Sequence, residues 1–170
     1  MVLRSARVSL EPISPDLARR IIARDEQPGD DWHREYPLRD ELDPLRSLVT
    51  AGPSETPFTM YLVRRTDDGN AVGGFGFFGP PDATGRVEFG YGLVPSARGA
   101  GLATEAVRLA LGHASSWGAR VAVADTAPEN VASQRVLMKS GLVEVRRDEA
   151  LVVFRRVLVS SARSGAPMEI

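Results

Sequence analysis

The stretch Val94-Pro-Ser-Ala-Arg-Gly-Ala-Gly-Leu-Ala-Thr-Glu105 has the residue types most suggestive of a ligand. A β-like run from Arg86 to Val94 stops at Pro95, a glycine-rich turn follows, and an amphipathic helix is expected from near Gly101. The first turn of a helix holds N–H groups without intrahelical partners, and the helix dipole adds partial positive charge there. A phosphate suits such a place. Gly99 and Gly101 remove the side chains that would hold a ligand off the backbone, and Arg98 adds a fixed charge with forked donors. Two glycines also serve simply to make a turn, so spacing alone leaves both readings open.

The strand before this turn carries a second chemical clue. If it is regular, Val87, Phe89, Tyr91 and Leu93 share one face, and Glu88, Gly90, Gly92 and Val94 share the other. A slender ligand could lie on the bare backbone with Glu88 beside its reactive end. The alternative is an exposed strand carboxylate paired with a neighbouring arginine. Upstream, Asp25 to Asp43 holds eight carboxylates against Arg34 and Arg39, interleaved with Trp32, His33 and Tyr36. This segment is either a solvated acidic loop with anchoring aromatics or a loop that attracts a cationic amine. Gly74-x-Gly76-x-x-Gly79 matches the dinucleotide fingerprint only as letters, because its glycines lie inside a β-like run and Pro80-Pro81 follows where a helix should start.

Arg98-x-x-Gly101-x-Ala103, preceded by Gly90-Tyr-Gly-Leu-Val-Pro95 and followed by Thr104-Glu-Ala106, resembles the acetyl-CoA-binding motif of the GNAT acyltransferase superfamily. It looks closest to the branch containing the ribosomal-protein alanine acetyltransferases. Further on, Pro128-Glu-Asn-x-x-Ser-x-Arg-x-Leu-x-x-x-Gly141 resembles the second cofactor-proximal motif of that branch. The likeness covers residues 3 to 158, strongly from 71 to 142 and weakly before 57, where acceptor specificity resides in the family.

The resemblance implies a mixed α/β fold: a largely antiparallel sheet of six to seven strands flanked by helices, with a cofactor cleft where the fourth strand splays from the fifth. Here those strands are Arg86 to Val94 and Ala119 to Asp125. It also implies that acetyl-CoA, as cosubstrate, is held by Leu93, Val94, Arg98, Gly99, Ala100, Gly101, Leu102, Ala103 and Thr104, with Asn130 on the pantetheine and Ser133 near the sulfur. There is one departure. Leu137 occupies a position where many members place a tyrosine that protonates the leaving thiolate, so Ser133, or a water it holds, is the substitute proton donor.

A mechanism follows from these assignments. An α-amino group with a pKa near 8 or a lysine amine near 10.4 must shed a proton before it can attack a thioester. Glu88 is the expected base, Trp32 and Tyr36 are expected to position the amine, and N–H groups around Leu93 and Val94 are expected to stabilise the oxyanion. Direct attack needs no covalent enzyme intermediate. The rivals are a CoA-binding regulatory or interaction module with little catalysis, an acyltransferase using another acyl-CoA, and a nucleotide-binding enzyme with the same phosphate loop.

The remaining elements must position these groups. Arg7 to Pro12 reads as a strand, Ser14 or Asp16 caps a first helix, and Leu45 to Ala51 forms a second. Phe58–Arg65 and Ala71–Phe78 form a hairpin around Thr66-Asp-Asp-Gly-Asn70. The helix after the turn runs to about Trp117 on a stripe of Leu102, Ala106, Leu109, Ala110, His113 and Trp117, with Glu105 structural. Asn130 to Ser140 makes the next helix, closed by Gly141. Two last strands, Leu142–Arg147 and Ala150–Leu158, end one domain of residues 1–158, and residues 159–170 read as a flexible tail.

Composition narrows the class. The chain has 170 residues, 43% hydrophobic and 25% charged, with a formal net charge of −1 and no cysteine. Nothing in it points to nucleic-acid or membrane binding, and thiolate chemistry and disulfides are excluded. His33 and His113 lack partner ligands, so no metal site is expected. With no apolar leader or span in the sequence, a cytoplasmic location is the default expectation. A homodimer is compatible with the sequence, and the identity of the amine acceptor is left open.

Overall fold

The computed structural model describes residues 1–159, so the expected tail lies outside the described residues except for Val159. The strands are β1 (Leu3–Arg4), β2 (Val8–Pro12), β3 (Met60–Arg65), β4 (Ala71–Phe77), β5 (Arg86–Leu93), β6 (Val121–Thr126), β7 (Val143–Arg147) and β8 (Val152–Val157). The helices are α1 (Pro15–Ala23), α2 (Leu42–Ala51), α3 (Leu102–Ser116) and α4 (Val131–Lys139). All eight strands form one sheet in the order β1-β2-β3-β4-β5-β6-β8-β7. The strand beyond the expected seven is β1, two residues paired with β2 through Leu3↔Leu10 and Arg4↔Ser9. No alternating pattern can signal so short an element.

Local chemistry sets the helix ends. The Ser14 side chain accepts from the Leu17 N–H, and Pro15 stands in the first turn of α1, where a missing N–H costs nothing. Asn130 caps α4 in the same way, its side chain accepting from the Ser133 N–H. The second helix starts earlier than expected, at Leu42 behind a single 3-10 turn of Arg39–Glu41. Pro44 therefore falls inside its first turn, a position helices tolerate because that N–H has no partner. Along α3 the buried stripe contains Ala106, Val107, Ala110, Leu111 and Ala114. Trp117, expected on that stripe, is 55% exposed instead.

Pairing between β4 and β5 is antiparallel and unbroken by a bulge, so alternation holds through Gly74↔Gly92, Phe75↔Tyr91, Gly76↔Gly90 and Phe77↔Phe89. One face of this ribbon carries aromatics, with Phe75 stacked on Phe89 at a centroid distance of 5.4 Å and Phe75 edge-on to Phe77 at 5.0 Å. The other face is four glycines. The rejected fingerprint is thus strand backbone, and its glycines leave room for what packs above them.

On its far side, β5 pairs in parallel with β6 only through Arg86↔Val121, Val87↔Ala122 and Glu88↔Val123. Beyond Glu88 the two strands part, while β5 continues to Leu93 along β4. In that stretch the alternating ladder turns the N–H and C=O of Gly90 and Gly92 toward β4, as the bonds from Phe78 N–H to Glu88 O and from Val94 N–H to Val72 O show for the same set. Tyr91 and Leu93 therefore point their main-chain groups into the gap. No helix among the described residues is long and apolar enough to cross a membrane.

Candidate active site

The gap opens into a cavity of about 1290 Å³. One end is formed by the turn into α3. Gly99 and Gly101 have φ of +83° and +81°, in the left-handed region that favours glycine, and Gly101 is the residue from which α3 starts. No side chain caps that helix, so the N–H groups of its first turn face the cavity without an internal partner. Arg98 donates from Nε to the Leu93 carbonyl at 2.9 Å, which fixes its guanidinium at the cavity wall. Of the residues expected here, Leu93, Arg98, Gly99, Gly101, Leu102, Ala103 and Thr104 line the cavity.

Ala100 and Val94 do not line it. The Ala100 carbonyl accepts from Arg7 Nη1 at 2.6 Å, so this residue braces the turn from outside. Val94 is fully buried and its N–H is committed to Val72 O at 2.8 Å, which removes it as an oxyanion donor. Of the two main-chain groups expected as donors, only the Leu93 N–H is turned into the gap. Glu105 is structural as expected. It accepts from Ser5 Oγ at 2.6 Å, Arg7 N–H at 2.8 Å and Arg7 Nε at 2.8 Å, tying the β1–β2 turn to α3. Burial raises its pKa, but these donors outweigh burial and leave it below the ordinary value.

The opposite wall is α4. Asn130 and Ser133 both line the cavity. Gln134 Nε2 donates to the Pro128 carbonyl at 2.9 Å, holding the Pro128–Asn130 loop against the helix it caps. Ser133 has a partner that the sequence did not reveal. Tyr91, on the aromatic face of β5, brings its hydroxyl to 2.9 Å from Ser133 Oγ, and that hydroxyl also donates to the Ser133 carbonyl at 3.2 Å. Burial pushes the Tyr91 phenol up to about 12 against the lowering effect of the Ser133 hydrogen bond, so it stays protonated at neutral pH. Leu137, where a tyrosine was sought, is fully buried in the core.

Glu88 is not at the cavity. Its carboxylate is 45% exposed and lies 2.7 Å from Arg86 Nη2, the strand-surface pairing that was the alternative reading. Trp32 and Tyr36 do not line the cavity either. Tyr36 is buried in the hydrophobic core, with Trp32 packed edge-on to it at 6.3 Å and joined to Ala71 by an isolated β-bridge. They are the anchors of the acidic loop. That loop is also tied to the turn after β5, where Ser96 Oγ donates to Glu35 Oε2 at 2.9 Å.

What the acidic segment sends into the cavity is Leu38, Asp40, Glu41 and Asp43. Leu38 and Glu41 lie over the glycine face: a Cβ at Gly92 would come within 2.8 Å of Leu38 Cδ1, and one at Gly74 would collide with Glu41 Oε1. Glu41 is only 9% exposed. Burial pushes its carboxyl up to about 7, opposed by the bond from the Leu38 N–H and reinforced by Asp40.

An acetyltransferase (GNAT) domain matches residues 7–143, most of the chain. The chain belongs to the GNAT acetyltransferase family. This acetyltransferase is 26% identical over 151 residues to the uncharacterized N-acetyltransferase YjdG of Bacillus subtilis (strain 168), covering 84% of the chain and 90% of that protein. The fold is shared with the GNAT-family acetyltransferase from Bacillus anthracis, at a TM-score of 0.64 and 16% identity over 92% of this chain and 98% of that one. It is also shared with RimL, a ribosomal L7/L12 alpha-N-protein acetyltransferase solved in complex with coenzyme A, at a TM-score of 0.64 and 14% identity over 93% and 98%. Membership makes the protein an acyl-CoA-dependent acetyltransferase of mixed α/β fold.

Two polar groups on the cavity wall escaped sequence reasoning. Tyr91 was assigned to a packing face, which is correct, but nothing in one sequence says that α4 crosses close enough for its hydroxyl to meet Ser133. Glu41 was one of eight carboxylates in an acidic run. In the structure Glu41 Oε2 accepts from the Leu38 N–H, one half of a capping box, but with leucine at the cap position the sequence carries no such signal.

Proposed function

We propose that this acetyltransferase transfers the acetyl group of acetyl-CoA to a primary amine by direct attack. The reading rests on the parting of β5 from β6 beyond Glu88, because the gap joins the uncapped start of α3 to the Tyr91–Ser133 hydroxyl pair inside one cavity. The diphosphate sits on the first-turn N–H groups of α3 with Arg98 beside it. Arg135 and Lys139, also on the wall, add positive charge for the phosphates. The pantetheine amides pair with the main chain of Tyr91 and Leu93 as an added strand would, with Asn130 opposite.

At the reactive end, attack on the thioester carbon gives an oxyanion, for which a β5 main-chain N–H turned into the gap and not paired with pantetheine is the donor. When the C–S bond breaks, the sulfur takes the electron pair and a proton from the Tyr91–Ser133 pair. That pair supplies the acid that Leu137 lacks. Glu88 would serve as base only after Arg86 released it, and it would still start outside the cavity. Most of the acceleration comes from holding thioester and amine in line.

The test is binding and turnover together. Thermal stabilisation by CoA, NAD and ATP is compared side by side, and thiol release from acetyl-CoA is then followed with a panel of amines. CoA is expected to stabilise and an amine to accelerate release; stabilisation by ATP alone would overturn the proposal. CoA binding without amine-dependent release would favour a CoA-responsive module.

A further inference from the structure

The cavity has two chemically unlike halves. Its lining cations, Arg98, Arg135 and Lys139, all belong to the α3 turn and α4. Its lining carboxylates, Asp40, Glu41 and Asp43, all belong to the 3-10 turn Arg39–Glu41 and the first turn of α2 that follows it. The same cavity is also lined by apolar Leu38, Leu48, Phe58, Met60, Phe77 and Phe78, and of these Leu38 stands beside Glu41, donating its N–H to that carboxylate.

Glu41 itself is incomplete. One carboxylate oxygen accepts the Leu38 N–H at 3.2 Å, while Oε1 is buried with no partner among the described residues. A buried acceptor without a donor costs free energy, so such a group calls for something that completes it. The sheet makes room for this oxygen specifically, since any side chain at Gly74 would occupy its place.

We propose that Glu41 receives the ammonium of the acceptor and removes its proton before attack, and that the acceptor is a primary amine carried on an apolar body. This rests on the acetyl-transfer reading given above. An ammonium supplies the missing donor to Oε1, and the apolar wall buries what the amine is attached to. An acidic acceptor is repelled by three carboxylates, and the apolar lining buries a hydrocarbon body at less cost than a polar one.

The protons balance as follows. The ammonium gives one proton to Glu41, and the freed lone pair forms the C–N bond at the thioester carbon. After the C–S bond breaks, the nitrogen loses a second proton and keeps the third as the amide N–H. One proton ends on the CoA thiol and one reaches solvent. The groups that face Glu41 are the Leu38 N–H, which favours the charged form, and Asp40, which disfavours it. The Tyr36 hydroxyl is close enough for its own ionisation to be raised by Glu41, after burial, and lowered by Arg64.

The experiment uses the full chain with acetyl-CoA and five acceptors: 2-phenylethylamine, hexylamine, spermidine, glycine, and a short peptide with a free amino terminus and apolar first residues. The apolar acceptors are expected to exceed spermidine and glycine in kcat/KM by roughly tenfold or more. Whether the free amines or the peptide lead identifies the source. Glu41→Gln is expected to lower kcat/KM roughly 100-fold. It should leave the calorimetric Kd for acetyl-CoA unchanged and abolish the inflection near pH 7 in the wild-type profile, while Glu41→Asp recovers part of the rate. Gly74→Ala, which keeps the carboxylate but displaces Oε1, should act in the same direction and decides the matter if Glu41→Gln does not fold. Full activity in both variants, loss on Glu88→Gln instead, or preference for polar acceptors would overturn the inference. Failure of the wild type to bind acetyl-CoA would sink the transferase reading itself.

Discussion

The α3 end and the α2 end of the cavity are built by different means. At the α3 end the functional groups are main-chain N–H groups of a glycine turn, whose direction follows from φ at Gly99 and Gly101. At the α2 end the proposed group is a side chain, Glu41, that has room only because β4 presents Gly74 beneath it, while Gly92 of β5 makes room for the neighbouring Leu38. The contrast teaches that a backbone-built site can be carried by a short local motif, whereas a site made by a side chain over a bare sheet depends on segments far apart in the chain. On the reading proposed above, the first suits a cosubstrate common to a family, and the second an acceptor particular to one member.

The largest expected effect breaks the α3 end. Gly101→Val forces a β-branched residue into φ +81° and brings its Cβ to 3.2 Å from Arg7 Nη2. Stability should fall by about 1–3 kcal/mol, read from the urea midpoint, and stabilisation by CoA should disappear. A midpoint shift with CoA binding intact would show that the turn does not hold the ligand.

Next comes the α2 end without any substrate. The Glu41 carboxyl is raised from 4.5 to about 7 in the folded protein. The folded state therefore binds the proton more tightly than the unfolded one, and stability is fullest below about pH 4.5 and lost as pH rises through 7. Glu41→Gln removes that loss. Its melting temperature should exceed that of the wild type above pH 8 by the equivalent of up to about 3 kcal/mol, with the advantage vanishing at low pH. An unchanged difference across the range would mean the carboxyl titrates normally.

Smaller effects sharpen the comparison. Tyr91→Phe removes the hydroxyl that meets Ser133 and should lower kcat by about tenfold, or roughly 1.4 kcal/mol, with little change in KM for acetyl-CoA. An unaffected kcat would return the proton-donor role to Ser133 alone. Arg7→Ala loosens the brace on Glu105 and Ala100, and because Arg7 is half exposed it should cost under about 1 kcal/mol by chemical denaturation. Glu88→Gln should change kcat/KM by less than about twofold, since it loses only a surface pair with Arg86. A large loss there would reverse the assignment of the base.

Much of this could be read from residue order. The two strand–helix crossovers, the caps at Ser14 and Asn130, the structural part of Glu105 and the turn at Arg98–Gly101 all depend on interactions within a few residues or on a short motif. The rejection of the dinucleotide fingerprint held because Gly74 and Gly76 sit inside β4. What misled was proximity in sequence. Trp32 and Tyr36 stand among carboxylates, so they read as a lure for amines, but their rings are held in or against the core. Glu88 stands next to Gly90 and Gly92 on the chain, yet Arg86 on the same strand takes its charge.

The sequence by itself carried the two motifs that resemble the family, and it determined seven of the eight strands, the helix caps and the glycine turn, because periodicity, caps and glycine dihedrals act over short distances along the chain. Only the tertiary structure decided which of eight carboxylates is buried over Gly74 and which tyrosine meets Ser133. Those outcomes depend on how β4, β5, α2 and α4 stack, and the proton affinity of a carboxyl or a phenol is set by the solvent that such stacking removes.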